Sequence, residues 1–313
     1  MRIHWRDPNM SARKWIKAIV LIVGPFFLCY VIGFPMLKAY VLTHPSRPAI
    51  ELTLESTDGS PVERVGFQAS DGVEIVGWFV HGDPDGATIV SSHGSGSTGV
   101  LAYYGVKFLN HAGYNVLVFD HRGHGQSGSK FTTMGLLEVR DLVGAVAYLK
   151  TRSDVDPNRI GAIGCSMGSG IVIGAAAREP SIKAVVAEGS YADLGQVWDR
   201  FGYGGIKGTS LHWSWGPLLK LAGWVWTGEW VGQYKPIDVV GEISPRPLFL
   251  IHGEIQNSAC FVQDARLLYQ AAGEPKSLWI VPGSGHCAAQ GVHPEDYRAR
   301  VLQFFDLYLR KRD

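Results

Sequence analysis

Residues 160–178 read Ile160-Gly161-Ala162-Ile163-Gly164-Cys165-Ser166-Met167-Gly168-Ser169-Gly170-Ile171-Val172-Ile173-Gly174-Ala175-Ala176-Ala177-Arg178. A short apolar run, Ile160–Cys165, predicts a strand buried on both faces, and the longer stretch Met167–Arg178 predicts a helix. Between them lies Gly-x-Ser-x-Gly, Gly164 to Gly168. Glycines on both sides allow a sharp strand-to-helix turn that lifts the Ser166 hydroxyl above the sheet, and this context separates the pattern from a chance match. The helix start also offers free backbone N–H groups and its positive end, a setting that suits an oxyanion. The glycine spacing is not the Gly-x-Gly-x-x-Gly of a dinucleotide loop.

Outward from this corner, Ala87–His93, Asn115–His121 and Ala184–Gly189 are further short apolar strand candidates, with helix-length stretches at Leu101–Ala112 and Leu136–Leu149. Two more strand-helix units follow, with strands Pro247–Gly253 and Ser277–Gly283 and helices Phe261–Ala272 and Glu295–Leu309. Such alternation predicts an α/β fold, a mostly parallel sheet covered by helices. Ahead of it, Val62–Ala69 and Val73–Val80 read as a hairpin turning through Asp71 and Gly72. The last helix carries Tyr297, Val301, Phe304, Phe305 and Tyr308 at helical spacing, a stripe for packing on the sheet.

Residues 191–243 show no strand pattern, yet hold Trp198, Trp213, Trp215, Trp224, Trp226 and Trp230, six of the ten tryptophans. This predicts a cap insertion over the C-terminal edge of the sheet, where open parallel sheets bind ligands. Indoles there suit an apolar substrate channel, a lipid interface, or aromatic packing that merely holds a long loop.

Of the 313 residues 46% are hydrophobic and 18% charged, which excludes disorder as the main state. Lys plus Arg is 29 against 28 for Asp plus Glu, so no broad positive field exists to hold a nucleic acid.

Ala18 to Leu37 contains no charged residue and is long enough to cross a hydrocarbon core of about 30 Å. Arg2, Arg6, Arg13, Lys14 and Lys17 precede it, opposed only by Asp7. The positive-inside rule then predicts a cytoplasmic tail (1–17), an uncleaved transmembrane anchor (18–37), a linker (38–61) and an exported body (62–313) in the cell membrane, a cleaved signal and an apolar helix packed on the body being the alternatives. Export permits disulfides, and Cys260 and Cys287 lie in two loops expected at one sheet edge, so a bridge between them is one expectation.

His286 follows Pro282-Gly283-Ser284-Gly285 after the last strand, late in the chain and near the same edge as Ser166. With its Nε2 near the hydroxyl it can take the proton during attack and return it to the leaving group. His93-Gly94-Ser95-Gly96-Ser97 ends an earlier strand, and the Ser95 N–H is expected beside that of Met167 as a second oxyanion donor. His93, His121, His124 and His252 read as structural histidines at strand ends. No His-Glu-x-x-His or Cys-x-x-Cys cluster is present, and neither metal nor cofactor is expected.

With these residues together, the chain resembles an α/β-hydrolase of the serine aminopeptidase and monoacylglycerol-lipase-like branch, close to bacterial membrane-anchored members. The likeness spans roughly Val62 to Leu309. It rests on His93-Gly94, on Asp120-His121-Arg122-Gly123-His124-Gly125 with Ser127, on Ile163 to Gly168, on His252-Gly253 and on Gly283 to His286. It implies hydrolysis of an ester or related acyl bond. Members place a triad acid three residues beyond the glycine of the His-Gly turn, and that position here is Gln256, followed by Asn257 and Ser258. An amide lacks the charge that stabilises imidazolium. Glu254 in the same turn, or Glu188 or Asp193 after the sixth strand, are the possible substitutes, while Asp264 reads as a first-turn helix residue.

Two functions follow. One is a membrane-anchored serine hydrolase for an ester, thioester or small amide with an apolar acyl part. The other is a weak or inactive relative that binds a lipid or protein partner through its tryptophan-rich cap, for which Gln256 is the main support.

Overall fold

The computed structural model describes residues 8–47, 60–205, 212–256 and 258–310. Arg2, Arg6 and Asp7 of the expected tail, residues 48–59 of the linker, 206–211 of the tryptophan-rich segment and Asn257 lie outside the described residues.

Two helices open the described chain, α1 (Pro8–Leu28) and α2 (Phe34–Thr43), joined without a break by a π turn at Cys29–Gly33. Then come β1 (Val62–Gln68), β2 (Glu74–Val80), β3 (Thr88–Ser92), α3 (Gly99–His111), β4 (Asn115–Phe119), α4 (Val139–Leu149), β5 (Ile160–Cys165), α5 (Met167–Arg178) and β6 (Ile182–Glu188). The segment predicted to lack strands contains α6 (Leu194–Phe201), a small pair β7 (Tyr203–Gly205) and β8 (His212–Ser214), α7 (Gly216–Thr227) and α8 (Pro236–Val239). The two short strands correct that expectation: three-residue strands are too brief to show a period of two. The chain ends with β9 (Leu248–Gly253), α9 (Val262–Ala271), β10 (Lys276–Val281), α10 (Ala289–Val292) and α11 (Pro294–Leu309).

Eight strands form one sheet in the order β1-β2-β4-β3-β5-β6-β9-β10. β2 is antiparallel to β1 and β4, and every pair from β4 to β10 is parallel. The burial alternates as a sheet covered on both sides requires: Leu117 and Phe119 of β4 join one apolar cluster, Val116 and Val118 the other. The first is closed by Leu142, Val146 and Leu149 of α4 and Ile171 of α5, the second by Tyr103 and Leu109 of α3 and by Val301 and Phe305 of α11. Truncating a buried aromatic such as Phe305 to Ala therefore costs about 3–5 kcal/mol. From β3 the chain steps to β4 on one side and to β5 on the other. The C-terminal ends of β3 and β5 thus flank the switch point at which such sheets take ligands.

Lys14–Thr43 is a helical stretch of 30 residues, apolar and long enough to cross a membrane. Ile16, Leu21, Phe26 and Leu37 on it are exposed, whereas Pro35, Ala39 and Thr43 of α2 are buried against the body. Trp226 of α7 donates its indole N–H to the Met36 carbonyl at 2.9 Å and stacks edge-on against Tyr40, and Trp215 meets Tyr30 the same way. Trp198 is fully buried, while Trp224 and Trp230 are about half exposed. Trp198 thus packs in the core, while Trp215 and Trp226 lie against the long helix.

Candidate active site

The corner between β5 and α5 follows from its glycines. A Cβ on Gly164 would lie 2.2 Å from the Gly168 carbonyl oxygen, and one on Gly168 would lie 2.1 Å from that of Ser92. No larger residue fits either position. Ser166 itself sits at φ +56°, a left-handed conformation that costs a non-glycine residue about 1–3 kcal/mol and persists only where its surroundings impose it. Here the Ser166 N–H donates to the Glu188 carbonyl at 2.9 Å, and its own carbonyl takes the Ser169 N–H at 3.0 Å.

Opposite this corner, the loop after β10 carries His286. Its Nε2 lies 2.8 Å from Ser166 Oγ. Burial, and next the neighbouring His252, push the His286 imidazole down to about 4 from its ordinary 6.5. It is therefore neutral at pH 7 and able to accept a proton from the hydroxyl. The turn holding Ser95 approaches from a third side: a Cβ on Gly94 would stand 3.5 Å from Ser166 Cβ. Met167 begins α5, so its N–H is one of the unpaired donors of that helix end.

The other histidines take structural places. The His93 ring receives the His121 N–H at 3.0 Å and bonds the Gly94 carbonyl through Nδ1 at 2.8 Å. His121 bonds Ser92 Oγ at 2.7 Å, His124 receives the Gly96 N–H at 3.3 Å, and His252 bonds the Gly253 carbonyl at 2.8 Å. Among the described residues no group of three or more His, Cys, Asp or Glu side chains is arranged to hold a metal.

The candidate acids are engaged as follows. Gln256 is exposed. Glu254 accepts the Gly283 N–H at 3.0 Å, and the Ile255 N–H donates to the Ser284 carbonyl at 2.8 Å, so this loop braces the turn ahead of His286. Glu188 is 6% exposed and accepts the Ala289 N–H at 3.2 Å and the Tyr297 hydroxyl at 3.0 Å; burial raises its pKa against these two bonds. It fixes the chain just after His286. Asp193 caps α6 through the Gln196 N–H at 3.2 Å and faces Lys235 at 3.7 Å. Asp264 accepts the Phe261 N–H at 2.8 Å and pairs with Arg200, as a first-turn residue should.

The cysteines do not pair as the loop positions suggested. Cys165 is bridged to Cys287, with 6.2 Å between their Cα atoms, while Cys260 is a free thiol buried in the core and pushed up to about 12 by that burial. The signal for this pairing was in the sequence as Cys165-Ser166 and His286-Cys287: if serine and histidine meet, so do their neighbours. Sequence reasoning also missed Gly189, at φ +64°, where a Cβ would lie 2.8 Å from Cys287 Sγ and 2.9 Å from His286 Cε1. A cavity of about 190 Å³ adjoins the corner, lined by His93, Gly94, Gly164, Cys165, Glu188 and Cys287 among others.

The sheet order, the strained corner and the loop after β10 define an α/β-hydrolase fold. Residues 102–312 match the model of the prolyl oligopeptidase family, and the chain belongs to that family. This corrects the assignment to the serine aminopeptidase and monoacylglycerol-lipase-like branch. The short motifs used for it arise from turns that the fold itself demands, so they mark the fold more than any branch. The uncharacterized protein YfhR of Escherichia coli K12 is 30% identical over 251 residues, covering 77% of this chain and 80% of that protein. The uncharacterized protein YqkD of Bacillus subtilis is 28% identical over 242 residues, 75% of this chain and 76% of its own. Among solved structures, the Pyrococcus furiosus esterase Pf2001 superposes with a TM-score of 0.67 at 26% identity, covering 85% of this chain and 100% of the esterase. These likenesses support a hydrolase-type enzyme.

Proposed function

We propose that the protein is a serine hydrolase that cleaves a carboxylic ester, or a related thioester or small amide, through an acyl-enzyme. The observation that carries this reading is the 2.8 Å contact of Ser166 Oγ with His286 Nε2 at a left-handed strand-to-helix corner. The Ser166 hydroxyl attacks the acyl carbonyl as His286 takes its proton. The resulting oxyanion is held by the N–H groups of Met167 and Ser95, and His286 returns the proton to the leaving group. Water, activated by the same imidazole, then frees the acid and Ser166. The adjoining cavity of about 190 Å³ leaves room for only a small group beside the corner.

The long apolar helix supports a membrane anchor, the basic residues ahead of it favour a cytoplasmic N-terminus, and the bridged cysteines support an exported body, since disulfides persist in oxidising compartments. Residues 191–243 serve as the cap, holding α7 against α2. The test is labelling of the purified full-length chain by a fluorophosphonate probe. Wild type is labelled and Ser166→Ala is not; a folded wild type that resists the probe overturns the hydrolase reading and leaves a binding role for the cap.

A further inference from the structure

We propose that the Cys165–Cys287 bridge positions the nucleophile and the base, fixing covalently the register that a carboxylate at Gln256 would otherwise help to set. The inference rests on the reading of Ser166 and His286 given above. Cys165 immediately precedes Ser166, and Cys287 immediately follows His286. Bridge, peptide links and the 2.8 Å contact between hydroxyl and imidazole therefore close one small ring of four residues. Two of the four non-glycine residues at positive φ among those described are Ser166 at 56° and Cys287 at 51°, and both lie within that ring. Such backbone conformations relax unless their surroundings hold them, and a covalent crosslink between segments 122 residues apart does so.

Gly189 completes the clamp. Its missing side chain lets the His286 ring and Cys287 Sγ lie against the end of β6. On the other side, Glu188 accepts the Ala289 N–H, so the loop is tied both at Cys287 and two residues beyond. Meanwhile Gln256 is exposed at its loop. Cys165 and Cys287 thus act on the reaction as positioning residues, through Ser166 and His286, and both also line the adjoining cavity.

The experiment uses the full-length chain in detergent, with a fluorophosphonate and 4-nitrophenyl butyrate as probes. Thiols titrated in denaturant number two of the four cysteines as purified, and four after treatment with a phosphine, which opens the bridge to two thiols and becomes its oxide. Reduction lowers kcat by about tenfold to a hundredfold, the penalty of a misplacement on the order of 1 Å, with KM within about twofold and the melting temperature still above that of the assay. Reoxidation with oxidised glutathione restores the rate. The Cys165→Ala/Cys287→Ala double variant starts at the lowered rate and ignores the phosphine. Four free thiols before reduction, an undiminished kcat after it, or a loss that only follows unfolding overturns the proposal. A wild type that is never labelled defeats the underlying hydrolase reading instead, and the thiol count separates the two failures.

Discussion

The corner after β5 and the loop after β9 leave the same edge of one parallel sheet, yet they are built in opposite ways. At the corner, Gly164 and Gly168 have no room for a Cβ, Ser166 is held at positive φ, and a bridge joins the preceding residue to the loop of His286. In the loop, Glu254, Ile255 and Gln256 are exposed, and its described bonds brace the backbone at Gly283 and Ser284. The contrast shows where the fold places its constraints: sterics and a crosslink act at Ser166 and the His286 loop, whereas the loop of Gln256 is an exposed turn tied to Gly283 and Ser284.

The largest test of that contrast is His286→Ala, which removes the imidazole 2.8 Å from the Ser166 hydroxyl and should lower kcat for a short ester by at least about 10³-fold in steady-state assays. Gly189→Ala comes next. Its new methyl would meet the His286 ring within 3.0 Å and is expected to cost about tenfold to a hundredfold in kcat while leaving thiol titration unchanged.

Glu188→Ala strands the buried Ala289 N–H and the Tyr297 hydroxyl, so it should destabilise the fold by about 1–3 kcal/mol in urea titration. The pH dependence sharpens the site further. With the imidazole pushed down to about 4, kcat/KM should stay level down through pH 6 and fall only near pH 4, as protonation removes the base. The sign for stability is the same. His124 and His286 are both held near 4 by burial, so at these two rings the unfolded chain binds more protons as the pH drops below 6.5, and their contribution to stability declines from there toward pH 4. The check is the pH dependence of the melting temperature in wild type against His286→Gln: the variant should lose less stability between pH 6.5 and 4, and an identical dependence would contradict the burial of that ring. The smallest effect is expected in the loop: Gln256→Ala should leave kcat/KM within about twofold, as exposed substitutions do. A tenfold change there would put the orienting group back in the loop.

Much of this was legible from particular residues. The strand before Ser166, the helix after it and the late histidine could be read because glycine-bounded turns and buried strands impose strict local composition. The short strands β7 and β8 could not, since three residues carry no period. The branch of the superfamily was misread, because Gly-x-Ser-x-Gly and His-Gly turns answer to the backbone of the fold and are shared beyond any one branch. Cys287 was matched to Cys260 from loop positions, and the structure pairs it with Cys165.

By itself the sequence determined the alternation of strands and helices in the main sheet, the turn that presents Ser166 and the apolar helix at the start, because each is written in neighbouring residues through steric demands and hydrophobic spacing. Only the tertiary structure decided which cysteines join, that Glu188 secures the chain beyond His286, and that Gly189 receives its ring. Those relations cross more than 90 residues of chain, and they depend on which side chains burial brings within a few ångströms.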